Sequence, residues 1–386
     1  MTLRDFIDTL SKLDVGTLAT WQAAGLTKRQ LYALVESGQL VKIRHGAYAT
    51  SSVLARAASD PGLRHAVDVT AIMATRMHRG IASHHSAALL HGLRLLRQPP
   101  GGTVTLTVPP GSRTGRHAAG VICHAAELPD QHVTKRYGVP VTTAARTVAD
   151  IARTATFTEG VVVADAALYE RHASKSELRR VLAGCERWLG TSRVRQVIDF
   201  ADGLAESVLE SCARVLFRDH GLPPPELQVH ITGRDRTMIA RVDFFWRRHG
   251  VVAETDGLLK YDSGERAIAE RRRDRLLLEA GFEVVHVTWQ ELFSDPGAGR
   301  WAYPGGIPAR RASRACPVRQ EWRDFRPNPG VRVGVVARIG YSSLRAPERS
   351  SASADVAQLV EHHLAKVRVA GSNPVVRSEA RLCSSG

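Results

Sequence analysis

The chain has little cysteine, and its five cysteines stand far apart: Cys123, Cys185, Cys212, Cys316 and Cys383. No close pair offers metal-ligand spacing, and the scatter points to a reducing cytoplasm. Long apolar runs are missing too. None reaches the length of a bilayer span, so a membrane partner is not expected. The opening stretch, MTLRDFIDTLSKLD, alternates charged and apolar residues like an amphipathic helix and lacks the pattern of a signal peptide. What remains is a cytoplasmic chain of 386 residues, 44% hydrophobic, long enough for two or three domains with real cores.

Positive charge is plentiful but unevenly placed. The formal net charge is +15. From Arg300 onward the chain carries 15 Lys/Arg against 6 Asp/Glu, or +9, which leaves +6 for everything before it. A mildly basic folded part favours nucleic acid as a partner, less strongly than the overall pI of 10.2 suggests.

The densest chemistry lies between Arg241 and Lys260. The runs VDFFW and VVAETDG read as strands, and they carry Asp243, Glu254 and Asp256. Carboxylates are poor strand formers and costly to bury, so three in one short hairpin are best explained by a cation. Asp243 and Glu254 lie 11 residues apart across the hairpin, a spacing that lets them converge on one Mg²⁺ or Mn²⁺. Glu210, on the preceding helix, and Asp256 are candidates to complete the shell. Lys260 is placed to orient an attacking water. With Asp243 and Glu254 it makes the catalytic set for phosphodiester hydrolysis. Arg271, Arg272, Arg273 and Arg275 follow on a basic helix suited to phosphate contacts. In the competing reading, Glu206, Glu210 and Arg214 form surface pairs one helical turn apart and TDG is a plain turn. That reading accounts for Glu206. It accounts poorly for Asp243 and Glu254, both flanked by apolar residues.

The pattern divides the chain into four segments. Residues 1–55 read as a winged helix-turn-helix: a helix in VGTLATWQAAG, a second in LTKRQLYALVESG capped by Thr27 and stopped at Gly38, and a hairpin in QLVKIRHGAYAT turning at His45–Gly46. In that arrangement Lys28, Arg29 and Gln30 face base edges in double-stranded DNA, and Lys42 and Arg44 meet phosphate. A helical cap whose charges face solvent is the alternative. Residues 60–190 mix helices and strands, with no motif that carries chemistry. His84, His85 and His91 invite a metal reading, but no carboxylate completes a set, so they read as core or surface histidines. Residues 194–296 follow the order helix, three strands, helix, strand, an α/β core. Residues 297–386 lack steady periodicity and read as a disordered or read-through tail.

Two family likenesses follow from these motifs. The third segment resembles the PD-(D/E)xK nuclease superfamily, most of all the relatives of very-short-patch-repair endonucleases. Glu206 and Glu210, Asp243 in VDFFW, the ETDG at Glu254 to Gly257, and VVHVTW carry the likeness. It implies a restriction-endonuclease-like α/β core and Mg²⁺-dependent cleavage. The superfamily pattern has lysine two residues after the second acid, where this chain has Asp256. The first segment, with VKIRHGAYAT and the later VPVTTAARTVADIAR, is similar to AbiE-type antitoxins of abortive-infection systems. That likeness implies a transcriptional repressor of a type IV toxin–antitoxin pair, with a cognate toxin as partner and an inactive nuclease-like domain. The expectation is thus a multidomain α/β DNA-binding protein, with an endonuclease on one reading and a regulator on the other.

The tail carries a likeness of a different kind. Back-translated with suitable codons, Ala354 to Ser378 resembles a glycine transfer-RNA gene, including the acceptor stem, anticodon arm and T arm. An amphipathic helix in DVAQLVEHHLAKV is the alternative. No function is expected beyond about Pro296.

Overall fold

The computed structural model describes residues 14–75, 80–112, 120–185, 188–233, 237–256, 264–289, 292 and 332–334. It is a mixed α/β protein with three sheets, and it divides into two compact units, 1–211 and 212–386. Among the described residues no helix is long and apolar enough to cross a membrane.

The first unit opens with β1 (Val15–Gly16), α1 (Leu18–Ala23) and α2 (Lys28–Glu36), followed by β2 (Leu40–Arg44) and β3 (Ala47–Thr50). The stretch expected as one helix from Val15 is split. Val15 and Gly16 pair with Ala49 and Tyr48 of β3, and Thr17 then caps a shorter helix through its contacts with Thr20. Thr27 caps α2 as expected, in a reciprocal box with Gln30. Trp21, Leu26, Leu31, Leu34 and Leu40 make the small core beneath. The hairpin turns at His45–Gly46, where Gly46 has φ +81, a conformation open to glycine at no steric cost.

The same unit continues through α3 (Ser51–Ala57), α4 (Pro61–Thr75), β4 (Ile81–Ala82), α5 (His84–Leu90), β5 (Val104–Val108) and β6 (Val121–Ala125). Then come β7 (Val133–Arg136), β8 (Val139–Thr142), α6 (Ala144–Thr154), α7 (Phe157–Tyr169), α8 (Lys175–Ala183) and α9 (Thr191–Phe200). The strand order of this second sheet is β6-β5-β4-β8-β7. Its apolar faces bury Val69, Ile72, Leu90, Val104, Leu106 and Val141. Tyr137 and Gly138 close the β7–β8 hairpin with φ of 49 and 77, the paired left-handed geometry that two-residue turns require. Arg146 and Asp150, one helical turn apart and each 1% exposed, form an ion pair at 3.0 Å inside α6.

The chain divides inside α10 (Val208–Asp219). The second unit then adds β9 (Glu226–Thr232), β10 (Met238–Trp246), β11 (Val251–Asp256), α11 (Gly264–Glu279), β12 (Glu283–Thr288) and β13 (Arg332–Gly334), with sheet order β12-β11-β10-β9-β13. β9, β10 and β11 run as an antiparallel meander. β12 returns parallel to β11 after the helical crossover of α11, which sets Glu254 beside His286 and Asp256 beside Thr288. Val229, Val242, Phe245, Val252, Leu277 and Phe282 form the core. Phe217 meets Phe244 and Trp246 edge-on, at ring separations of 5.2 and 5.0 Å. The order helix, three strands, helix, strand is the one expected. Almost all of the tail lies outside the described residues. Its three described residues pair antiparallel with β9, so a piece of the segment read as unstructured adds a strand to the sheet.

Candidate functional site

Asp243 sits in β10, the central strand of the second unit's sheet. The β10–β11 pairing ends at Phe244 opposite Ala253, one step short of Asp243 and Glu254. From there Asp243 takes over the role of a backbone acceptor. Its Oδ2 receives the Thr255 amide at 2.9 Å and the Thr255 hydroxyl at 2.7 Å. Gln228 Nε2 donates to its other oxygen at 3.4 Å. Gln228 has φ 54, a left-handed conformation that a side chain adopts only when its surroundings enforce it.

Glu254 is more deeply placed, at 3% exposure. Arg273, from α11, donates to its Oε2, while its Oε1 is buried without a hydrogen-bond partner among the described residues. Burial drives the Glu254 carboxyl up to about 7, and the negative charges of Asp243 and Asp274 push the same way against Arg273 and His286.

Beside it, His286 lies between two carboxylates. Nδ1 donates to Asp256 at 2.9 Å and Nε2 to Asp274 at 3.1 Å. These contacts, led by the Asp256 hydrogen bond, hold the imidazole up at about 9 despite burial. Glu270 completes the cluster, 3.9 Å from Arg273. Ligand-type atoms of Asp256, Glu270 and His286 lie within 4.8 Å of one another. Among the described residues, Glu254 and Glu270 thus lie against Arg273, Asp256 and Asp274 lie against His286, and Asp243 acts on Glu254 through its charge. Carboxylates gathered in this way are the donor type that a divalent ion takes.

Three of the carboxylates expected at the site, Asp243, Glu254 and Asp256, are gathered in this unit. Glu210 belongs to the first unit. It is 6% exposed, and its Oε2 accepts the Glu206 amide at 2.8 Å, an arrangement that tethers the start of α10. Lys260 lies outside the described residues. Arg273, expected to meet phosphate, instead turns inward onto Glu254, whereas Arg272 is exposed. Glu270, Asp274 and His286 were not foreseen. The available signal was a lone histidine among the valines of EVVHVT, a strand running parallel to the one that bears the acids.

In the first unit, Lys28 and Arg29 are exposed at the start of α2, and Lys42 is exposed on β2. Gln30 is committed to the helix cap, since its Oε1 accepts from the Thr27 amide and hydroxyl at 2.9 and 2.8 Å. Arg44 is half-buried; burial raises the Asp68 carboxyl above its ordinary value, against the opposing charges of Arg64 and Arg44. The histidines form no metal-ligating group of three among the described residues. His84 stacks on His124 at 3.8 Å, and His91 donates to the Thr142 carbonyl at 2.7 Å.

Two uncharacterized proteins of Mycobacterium tuberculosis are similar to this chain: MT2308 of strain CDC 1551 / Oshkosh and Rv2248 of strain ATCC 25618 / H37Rv. Each is 30% identical over 276 residues, which span 70% of this chain and 94% of the relative. No family model matches the chain.

Proposed function

Starting from the family of the two mycobacterial proteins, to which this chain belongs, we propose that it is a DNA-binding protein whose second unit is a divalent-metal-dependent phosphodiesterase of the endonuclease type. The observation that carries this reading is Glu254. A carboxylate 3% exposed, with one oxygen unpartnered, beside a second strand carboxylate at Asp243, is expensive for stability alone.

Mg²⁺ or Mn²⁺, when bound, supplies charge neutralisation and an activated water. Asp243 and Glu254 are the residues that would hold it. Thr255 and Gln228 fix the Asp243 carboxylate, so its orientation is set before the ion arrives. Arg273 pairs with Glu254 and, were an ion held there, would be available to a phosphate oxygen. Lys260 is proposed to orient the attacking water. In the first unit, α1, α2 and the β2–β3 hairpin have the order of a winged helix-turn-helix. Arg29 and Lys28 supply candidate base contacts and Lys42 a candidate phosphate contact. Double-stranded DNA is the proposed substrate, and the proposed setting is cytoplasmic.

One observation favours the regulator reading. The position two residues after Glu254 is Asp256, and its carboxylate accepts from His286 where the nuclease pattern has lysine. On that reading the chain is an antitoxin-like repressor, with a cognate toxin as partner and an inert metal site. Plasmid nicking in Mg²⁺ and Mn²⁺ separates the two. Cleavage by the wild type that is lost in Asp243→Asn supports the enzyme. A metal-dependent rise in melting temperature without cleavage supports the regulator. Absence of any metal effect removes the site from both readings.

A further inference from the structure

We propose that Asp256, Glu270 and His286 form a second divalent-ion position, separate from Asp243 and Glu254 and selective for a transition metal such as Mn²⁺, Co²⁺ or Zn²⁺. The inference deepens the phosphodiesterase reading and rests on it only for the purpose of the site.

Three elements deliver the ligands: the end of β11, the middle of α11, and β12. Their ligand atoms already lie within 4.8 Å of one another, a span one ion bridges with little movement. An imidazole nitrogen in the set favours first-row transition metals, since Mg²⁺ prefers an all-oxygen shell.

Two further features point to an ion. First, Asp274 Oδ2 accepts from His286 Nε2 at 3.1 Å, which leaves Nδ1 directed at Asp256 Oδ2, 2.9 Å away. A carboxylate behind the distal nitrogen is the usual support of a metal-ligating histidine, because it fixes the ring and its tautomer. On binding, the ion takes the place of the proton on Nδ1, which passes to solvent. Second, Glu254 lies directly across the ladder from His286, buried, with Oε1 unpartnered among the described residues. A carboxylate shared along that edge would bridge the two positions.

Co²⁺ titration of the full chain, followed by calorimetric stoichiometry and visible d–d absorption, tests this. Two ions per wild-type chain are expected. Glu270→Gln and His286→Gln should each lose one ion, together with the nitrogen-ligated spectrum. Asp243→Asn should lose the other ion and keep that spectrum. Asp274→Asn should weaken the second position by about 10–100-fold without abolishing it. Because His286→Gln risks the fold, Glu270→Gln, with its side chain 29% exposed, is the control variant. If one ion binds and only Asp243→Asn removes it, the second position is wrong and the phosphodiesterase reading survives. If one ion binds and only the Glu270 or His286 variants remove it, the second position stands and the Asp243–Glu254 assignment falls. No binding sinks both.

Discussion

At Glu254 and His286 the folded protein holds protons more tightly than the unfolded chain does. Glu254 is raised from 4.5 to about 7 and His286 from 6.5 to about 9. A raised value means stability that is complete below the ordinary value and lost as pH climbs through the folded one. The metal-free protein should therefore weaken from pH 4.5 to 7 through Glu254, and from 6.5 to 9 through His286. For Glu254 the loss is on the order of 3 kcal/mol, at 1.36 kcal/mol per pH unit. Urea unfolding at pH 5 and pH 8 in the presence of a chelator should show the higher midpoint at pH 5. Glu254→Gln should flatten the lower part of this dependence, because an amide has no proton to lose there. A wild type more stable at pH 8 than at pH 5 would contradict the assignment. The same residues show where sequence reasoning reached its limit. Asp243 and Glu254 were legible because acids inside apolar runs stand out. Glu270 and Asp274 were not, because on a helix with this many charges any carboxylate reads as a solvated one. Their significance appears only when β12 returns parallel to β11 and brings His286 to them.

The elements themselves were largely visible, since hydrophobic period and caps act locally. Thr27 and Ser174 each begin a helix as their spacing to Gln30 and Glu177 implies. The β2–β3 turn falls at His45–Gly46 for the same reason. The exception at Val15–Gly16 is instructive: two residues with helical neighbours become a strand because β3 offers a partner that lies some 30 residues on. The small hairpin β7–β8 and the helix α9 went unread, the first for want of a Gly-rich or Asn-rich turn signal of ordinary strength. If α2 reads DNA, its exposed and capping residues must behave differently. Arg29→Ala should change sequence preference. Lys42→Ala should weaken binding about equally across sequences and reduce the salt slope by about one unit. Gln30→Ala should act mainly on stability, lowering it by about 1 kcal/mol through the lost cap. Fluorescence anisotropy on a panel of duplexes at several salt concentrations, with thermal melts alongside, checks all three. Sequence preference altered by Lys42→Ala and not by Arg29→Ala would reverse the docking geometry.

For the whole molecule, the relatives set a useful scale. A match of 276 residues that fills 94% of each makes them about 290 residues long, against 386 for this chain. Among the residues beyond Pro296, the three of β13 pair with β9 at Thr232, Ile231 and His230. Truncation after residue 300 removes that short pairing and should leave the melting temperature of the remainder essentially unchanged, because the segment's sequence lacks the periodicity of a packed core. Differential scanning calorimetry of the two lengths would decide it, and a large drop would show that the tail is part of the fold.

The Arg273–Glu254 pair has one more consequence. Many small metal sites are assembled by their ion, and such proteins come apart when it is withdrawn. On the proposed metal reading, the Glu254 carboxylate already has an internal stand-in for the ion, one carried by the chain itself. Synthesis and loading would then be uncoupled: the polypeptide would mature in a metal-starved cell and acquire its ion later, by exchange against a tethered guanidinium. Prolonged exposure to EDTA should accordingly silence the site while leaving the circular dichroism spectrum intact. The reservoir of metal-free protein would be a folded, waiting population, ready to respond when the ion becomes available.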